Sequence, residues 1–149
     1  MKITTEIKKS MDSSVLCWLA TVSSEGTPNV SPKEVFTYFE DEIIIANIAS
    51  PQTLKNIKEN TLVCISFIDI LIQKGFKLKG EASIIKKNDT LFEEREQELL
   101  KITKGKFPFA SITSITIKES KPIIAPKYIL YPNTTEEEQI ESARATYGL

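Results

Sequence analysis

Between Gly75 and Lys86 the chain alternates: Phe76, Leu78, Gly80, Ala82 and Ile84 fall on one side, and Lys77, Lys79, Glu81 and Ser83 on the other. A period of two puts one face in a core and the other in water, so the segment reads as a strand of a sheet that is covered on one side. Similar runs precede and follow it. Val15 to Val22 and Pro28 to Phe39 flank the turn-like Ser23-Ser24-Glu25-Gly26-Thr27 and read as a hairpin. Ile43-Ile44-Ile45 follows a turn at Glu40 to Glu42, and Leu62 to Asp69 and Ser111 to Glu119 complete a set of six strands.

Helices are fewer. Ile3, Ile7 and Met11 recur at four-residue spacing in a short N-terminal helix. A second helix opens at Ser50-Pro51 and stops at Asn60, with Ser50 as N-cap and Pro51 as first helical residue. Asn88-Asp89-Thr90 is expected to cap a longer helix through about Lys104, with Phe92, Leu99 and Ile102 on its apolar stripe. Lys121 to Tyr131 reads as extended and proline-punctuated. Thr135-x-x-Glu138 is a capping box opening a terminal helix that carries Ile140, Ala143 and Tyr147. One helix crosses between the third and fourth strands and another precedes the sixth. This is not the regular alternation of a doubly wound sheet, and a mainly β fold, a small antiparallel β-barrel with peripheral helices, fits better.

At 149 residues one domain spanning 1–149 is the expectation. Nineteen basic and 20 acidic side chains leave a net charge of -1, which gives a nucleic-acid partner little to hold. Trp18 and the phenylalanines lie mostly in strand runs and are expected in the core. No apolar run is long enough to cross a bilayer, and the first residues lack a signal-peptide core, so a cytoplasmic location is expected. Cys17 and Cys64 are far apart, each inside an apolar run, and read as buried free thiols. The chain has no histidine. A serine–histidine or cysteine–histidine nucleophile is therefore excluded within it, as is the commonest ligand of catalytic zinc and haem, and no metal site is expected.

The start of the second helix is the segment with most chemistry in it. A strand ending at Ala46-Asn47 runs through Ile48 into Ser50-Pro51-Gln52-Thr53, where free amides and the positive end of the helix dipole converge. That is a ready place for a phosphate, although Ser-Pro also begins many helices that bind nothing. Thr53 lies in the first turn beside the unpaired amides, and Asn56 one turn later on the same face.

From about position 10 to 120 the chain resembles the pyridoxamine 5'-phosphate oxidase-related flavoproteins, the FMN-binding split-barrel family. The resemblance is carried by Ala20-Thr21-Val22 with Gly26 to Lys33, by Ala46-Asn47 leading to Thr53, Asn56 and Glu59-Asn60, and by Gly75 to Ala82. It implies a homodimer of six-stranded, Greek-key split barrels with FMN in grooves at the subunit interface. Val30, Ser31, Pro32 and Lys33 match the strand that runs along the flavin, and Ala46 and Asn47 the neighbouring strand end. Ser50, Gln52 and Thr53 match the helix start that holds the phosphate, with Asn56 behind them. Many members carry arginine or lysine where this chain has Gln52 or Thr53, which leaves the phosphate more dependent on amides and hydroxyls. The match does not include the C-terminal arginine and histidine by which the true oxidases grip substrate, so that activity is not expected.

The activity implied is hydride or electron transfer between bound flavin and a small molecule, with NAD(P)H a candidate donor and no catalytic side chain assigned. A flavin-binding carrier, sensor or store without turnover stands as the alternative, as do a deazaflavin in place of FMN and a barrel that holds no flavin.

Overall fold

A computed structural model describes residues 1–149. Helix α1 (Thr5–Asp12) leads into β1 (Cys17–Val22), β2 (Pro28–Lys33), β3 (Phe36–Phe39) and β4 (Glu42–Ala46). Helix α2 (Pro51–Glu59) then precedes β5 (Leu62–Asp69) and β6 (Lys74–Lys86). Next come α3 (Phe92–Thr103), β7 (Ser111–Ile124), α4 (Pro126–Leu130) and α5 (Glu136–Tyr147). The strands form one sheet in the order β2-β1-β5-β6-β7-β4-β3, every neighbouring pair antiparallel. Because β4 lies beside β7 while β5 lies beside β1, the chain must cross between them, and α2 is that crossing.

The sheet curls. Cys17 and Leu19 of β1, near one end of the strand order, share a single apolar cluster with Phe36, Ile43 and Ile45 of β3 and β4 at the other end. A flat sheet would hold these strands far apart, since neighbouring strands are about 4.8 Å apart. The inner face is therefore concave, a half-barrel plugged at one end by Ile3, Ile7 and Met11 of the N-terminal segment and α1. The bulge opposite Lys79 and Gly80 lies in β7, where Lys118 is the extra residue of the long central pair and the added twist helps the bend. A second cluster forms on the outside, where Ile44, Ile85 and Ile112 take up Phe92 and Leu99 of α3. No helix is long and apolar enough to cross a membrane.

Several expectations change in detail. The expected strand Pro28–Phe39 breaks at Glu34-Val35 into two strands at opposite edges of the sheet, which makes the strands seven rather than six. Strand β7 runs on to Ile124, and α4 occupies part of the stretch read as extended. Leu91, not the Asn88-Asp89-Thr90 turn, occupies the N-cap of α3; Asp89 instead accepts the Leu91 amide. The capping box of α5 is present, but Gln139 and Ala143 are its buried residues while Tyr147 is 49 % exposed.

Trp18 is not in the core: it is 47 % exposed. The register explains this. Cys17, Leu19 and Thr21 point inward, so Trp18, Ala20 and Val22 take the outer face, where Val30 and Leu62 are also exposed. A run apolar on both faces satisfies one core and leaves the other face uncovered. Cys17 is buried as expected, whereas Cys64 sits on that outer face and is half-buried.

One ion pair fastens α3 to the sheet. The Nε and Nη2 of Arg95 both donate to Glu42 Oε2, at 3.1 and 2.9 Å, and Nη1 donates to the Leu91 carbonyl. Ser114 Oγ donates to the same carboxylate oxygen, and the guanidinium lies 4.6 Å from the Phe39 ring centre. Removing one partner of a mostly buried pair strands the other. Arg95→Ala is expected to cost about 2–3 kcal/mol in urea unfolding, discounted because Glu42 keeps some water. Adding Glu42→Gln should restore part of that loss, and two costs that simply add would show the pair to be uncoupled.

Candidate functional site

Strands β2 and β3 are consecutive in the chain yet form the two edges of the sheet, so the junction at Glu34-Val35 is where the barrel splits. The Ala46 amide donates to the Val35 carbonyl at 3.0 Å and keeps the β4 end against this junction. A cavity of about 210 Å³ opens there, lined by Pro32 and Lys33 of β2, by Glu34 and Val35 of the junction, and by Ala46, Ile48 and Phe107.

Lys33 is the buried cation of this site. Its position in β2 points it inward, opposite Cys17 across the strand pair, and it is 8 % exposed. The ammonium donates to Ser50 Oγ at 2.5 Å, and that hydroxyl donates in turn to the Ile48 carbonyl at 3.0 Å. Burial pulls the Lys33 ammonium below the ordinary lysine range, with Cys17 acting in the opposite sense. Burial likewise pushes the Cys17 thiol up to about 12. A thiol held protonated is a poor nucleophile. Of the two cysteines, only Cys64 should react with a disulfide reagent at pH 8 in the folded protein; rapid labelling of both would contradict this burial.

The start of α2 differs from the simple cap expected. Ser50 occupies the N-cap position but gives no side-chain cap, because its hydroxyl is taken by Lys33 and Ile48. Pro51 has no N–H, and the Gln52 and Thr53 amides find no partner in the chain. Ala49, immediately before, adopts φ +50°, a left-handed conformation that turns the chain into the helix. The result is a helix N-terminus with two free donors and a lysine ammonium held one residue away.

The remaining expected residues divide by geometry. Ser31 Oγ and Thr53 Oγ1 lie 3.3 Å apart, linking β2 to the first turn of α2. Asn56 is 1 % exposed, and both ends of its amide are used: Oδ1 accepts from Gln52 and Nδ2 donates to Thr21 Oγ1 at 3.0 Å. It braces α2 on β1. Asn47 is similarly committed, donating to Ser111 Oγ and accepting from Thr113 Oγ1 at 2.7 Å, so it anchors the β4 end to β7. Val30 is 58 % exposed on the opposite face of β2 from Ser31 and Lys33. Pro32, Lys33 and Ala46 line the cavity, Ser50 joins them through Lys33, and Gln52 and Thr53 supply free amides.

Glu34, Val35, Ile48 and Phe107 were not expected as lining residues. The first three follow once the break at Glu34-Val35 is seen. Phe107 comes from a loop far along the chain, and no local pattern marks it.

A curled antiparallel sheet with a groove at its split is the architecture of a split-barrel protein. The chain belongs to the pyridoxamine 5'-phosphate oxidase family, which it matches over residues 3–119. No curated protein matches it. Among solved structures it is similar to HupZ from Group A Streptococcus, at 25 % identity and TM-score 0.66 over 79 % of this chain and 91 % of that one. It is also similar to an FMN-binding protein from Syntrophomonas wolfei, at 20 % identity and TM-score 0.65, covering 80 % and 84 % of the two chains. HutZ, the heme storage protein from Vibrio cholerae, matches at 18 % identity and TM-score 0.66, covering 83 % and 95 %.

Proposed function

We propose that this chain is an FMN-binding flavoprotein that acts as a homodimer and transfers hydride or electrons between the flavin and a small molecule, with NAD(P)H as donor. The observation that carries the reading is the convergence of the Lys33 ammonium with the uncapped start of α2 at the barrel split. A phosphate there meets a cation, two unpaired amides and nearby hydroxyls, the donor set that an anion at a helix N-terminus needs. The residues present therefore fit the group. Gln52, Thr53 and Lys33 would hold the phosphate end, and Pro32 and Ala46, which line the cavity, would contact the rest of the group.

When bound, the flavin supplies the hydride and electron chemistry. The chain's own residues bind and orient it. The Lys33 ammonium lies at the groove, and an anionic neighbour would offset the burial that pulls its pKa down. Asn56 and Asn47 act as positioning residues, fixing α2 on β1 and the end of β4 on β7.

Two observations support the dimer. A cavity of about 210 Å³ is small against the ~300–1,000 Å³ of sites for ligands of this size. The apolar outer face carrying Trp18, Val30 and Leu62 adjoins it through Pro32, which pairs with Trp18. Covering that face with a second copy would bury it and deepen the groove. Haem held through histidine is not available to this chain, which has none.

The test is to purify the protein, add FMN and pass it through gel filtration. One flavin per chain eluting with a dimer is the expected result; a monomer that leaves all flavin behind overturns the reading. Rapid bleaching of the bound flavin on mixing with NADPH is expected of a reductase, and its absence would leave a flavin carrier.

A further inference from the structure

The aromatic residue in the wall of the groove is Phe107, and it belongs to neither of the two apolar clusters of the fold. Its ring lines the cavity together with Pro32 and Ala46, yet the residue is 55 % exposed. The loop that carries it, residues 104–110, is fastened on both sides. On the α3 side the Gly105 amide donates to Thr103 Oγ1 and the Lys106 amide to the Thr103 carbonyl, and Thr103 is itself buried. On the β7 side Phe109 is buried against Phe92, with ring centres 6.3 Å apart, and the Ser111 carbonyl accepts the Asn47 amide.

Between these anchors Lys104 and Gly105 adopt φ +53° and +75°, left-handed conformations that end α3 and turn the chain into the loop that carries Phe107. Lys104 and Lys106, both exposed, precede it in sequence. Thus a braced loop places a phenylalanine, partly in water, among the residues of a groove that it lines with apolar Pro32, Val35, Ala46 and Ile48 and with the charged Lys33 and Glu34. Exposed phenylalanines are ordinary when they are scattered over a convex surface. One aimed into a concavity on a braced loop has an unused stacking face.

We propose that Phe107 is the stacking residue of this groove, covering the planar ring of an anionic aromatic ligand on the side away from Pro32 and Ala46. This rests on the flavin reading above and adds to it: the ring is covered on its second side by an aromatic residue of this chain. The ligand class is a flat aromatic ring with a phosphate arm, the ring on Phe107 and the phosphate on Lys33 and the α2 amides. Aromatic contact of this kind contributes about a tenfold change in affinity, with additional negative charge drawn by Lys104 and Lys106.

The experiment titrates FMN into the wild type and into Phe107→Ala, Phe107→Leu and Phe107→Tyr, following quenching of flavin fluorescence and the shape of the bound flavin's visible band. The residue is largely exposed, so all three variants should melt with the wild type. Phe107→Ala and Phe107→Leu are expected to lose about tenfold in affinity and to give a brighter bound flavin, while Phe107→Tyr stays within about threefold of the wild type. Leucine keeps apolar cover without a ring, so equal binding by Phe107→Leu and the wild type would overturn stacking. Unchanged affinity and brightness in Phe107→Ala would overturn the proposal while leaving the flavin site standing. A wild type that binds no FMN would overturn both.

Discussion

Lys33→Glu is expected to abolish FMN retention, with affinity falling by at least about a hundredfold, because it removes the one buried cation at the α2 start and puts an anion in its place. A charge-assisted hydrogen bond contributes about 1.5–3 kcal/mol, and reversal adds repulsion from a phosphate dianion in a partly desolvated groove. The reversal also disturbs folding, since a carboxylate beside Ser50 has no cation to meet. Lys33→Met separates the two effects. Methionine keeps an unbranched apolar stem, removes a charge that is already costly to bury, and leaves Ser50 bonded to the Ile48 carbonyl. Its melting temperature is expected to equal or exceed that of the wild type, while FMN affinity falls by about tenfold or more. Fluorescence titration and thermal melts read the two quantities independently. A lysine that merely braced Ser50 would produce the opposite pattern, lower stability with affinity unchanged.

Much of this arrangement is legible in the chain because it rests on local rules. Strand β5 coincides with the run Leu62 to Asp69, and α2 starts at Pro51 and is C-capped by Asn60, since turn residues and Pro51 mark those ends. The α5 capping box forms because Thr135 and Glu138 are three apart and need nothing else. What was not legible depends on register and on contacts distant in sequence. The Glu34-Val35 break occurs inside a run that reads as one strand, and it arises because the two halves pair with different partners, β1 and β4. Trp18 was expected inside because its run is apolar throughout, and only the pairing of Cys17 with Lys33 decides which face turns inward. The same pairing buries Lys33, which a count of lysines would place in water. Ser50 was read as a cap, but the fold engages its hydroxyl elsewhere and so leaves the helix amides free.

Gly75→Ala is expected to be the most damaging single-methyl change in the fold, lowering the melting temperature by about 10 °C, a loss of about 3 kcal/mol or more. A Cβ at Gly75 would sit 1.9 Å from the Phe67 carbonyl oxygen, 2.8 Å from the Ile68 Cα and 2.9 Å from the Phe67 carbonyl carbon. All three are backbone atoms of the paired strand, so no side-chain rotation relieves the overlap, and β5 must separate from β6 where Ile68 faces Gly75. The displacement is passed directly to Phe67, which is 2 % exposed and packs between Phe36 and Phe76 with ring centres 6.4 Å from each. Those rings join β3 to β5 and β6 across the barrel, so the methyl acts on the closure of the half-barrel as well as on one strand pair. Gly26→Ala is the control. Its φ of +84° makes alanine strained, but a Cβ there meets nothing within 4 Å, so the cost is about 1 kcal/mol from backbone conformation alone. Urea unfolding of the two variants side by side tests steric exclusion against glycine's conformational freedom. Equal losses would mean that β5 and β6 yield readily at this point, and that the close approach at Gly75 does not set the spacing of the central strands.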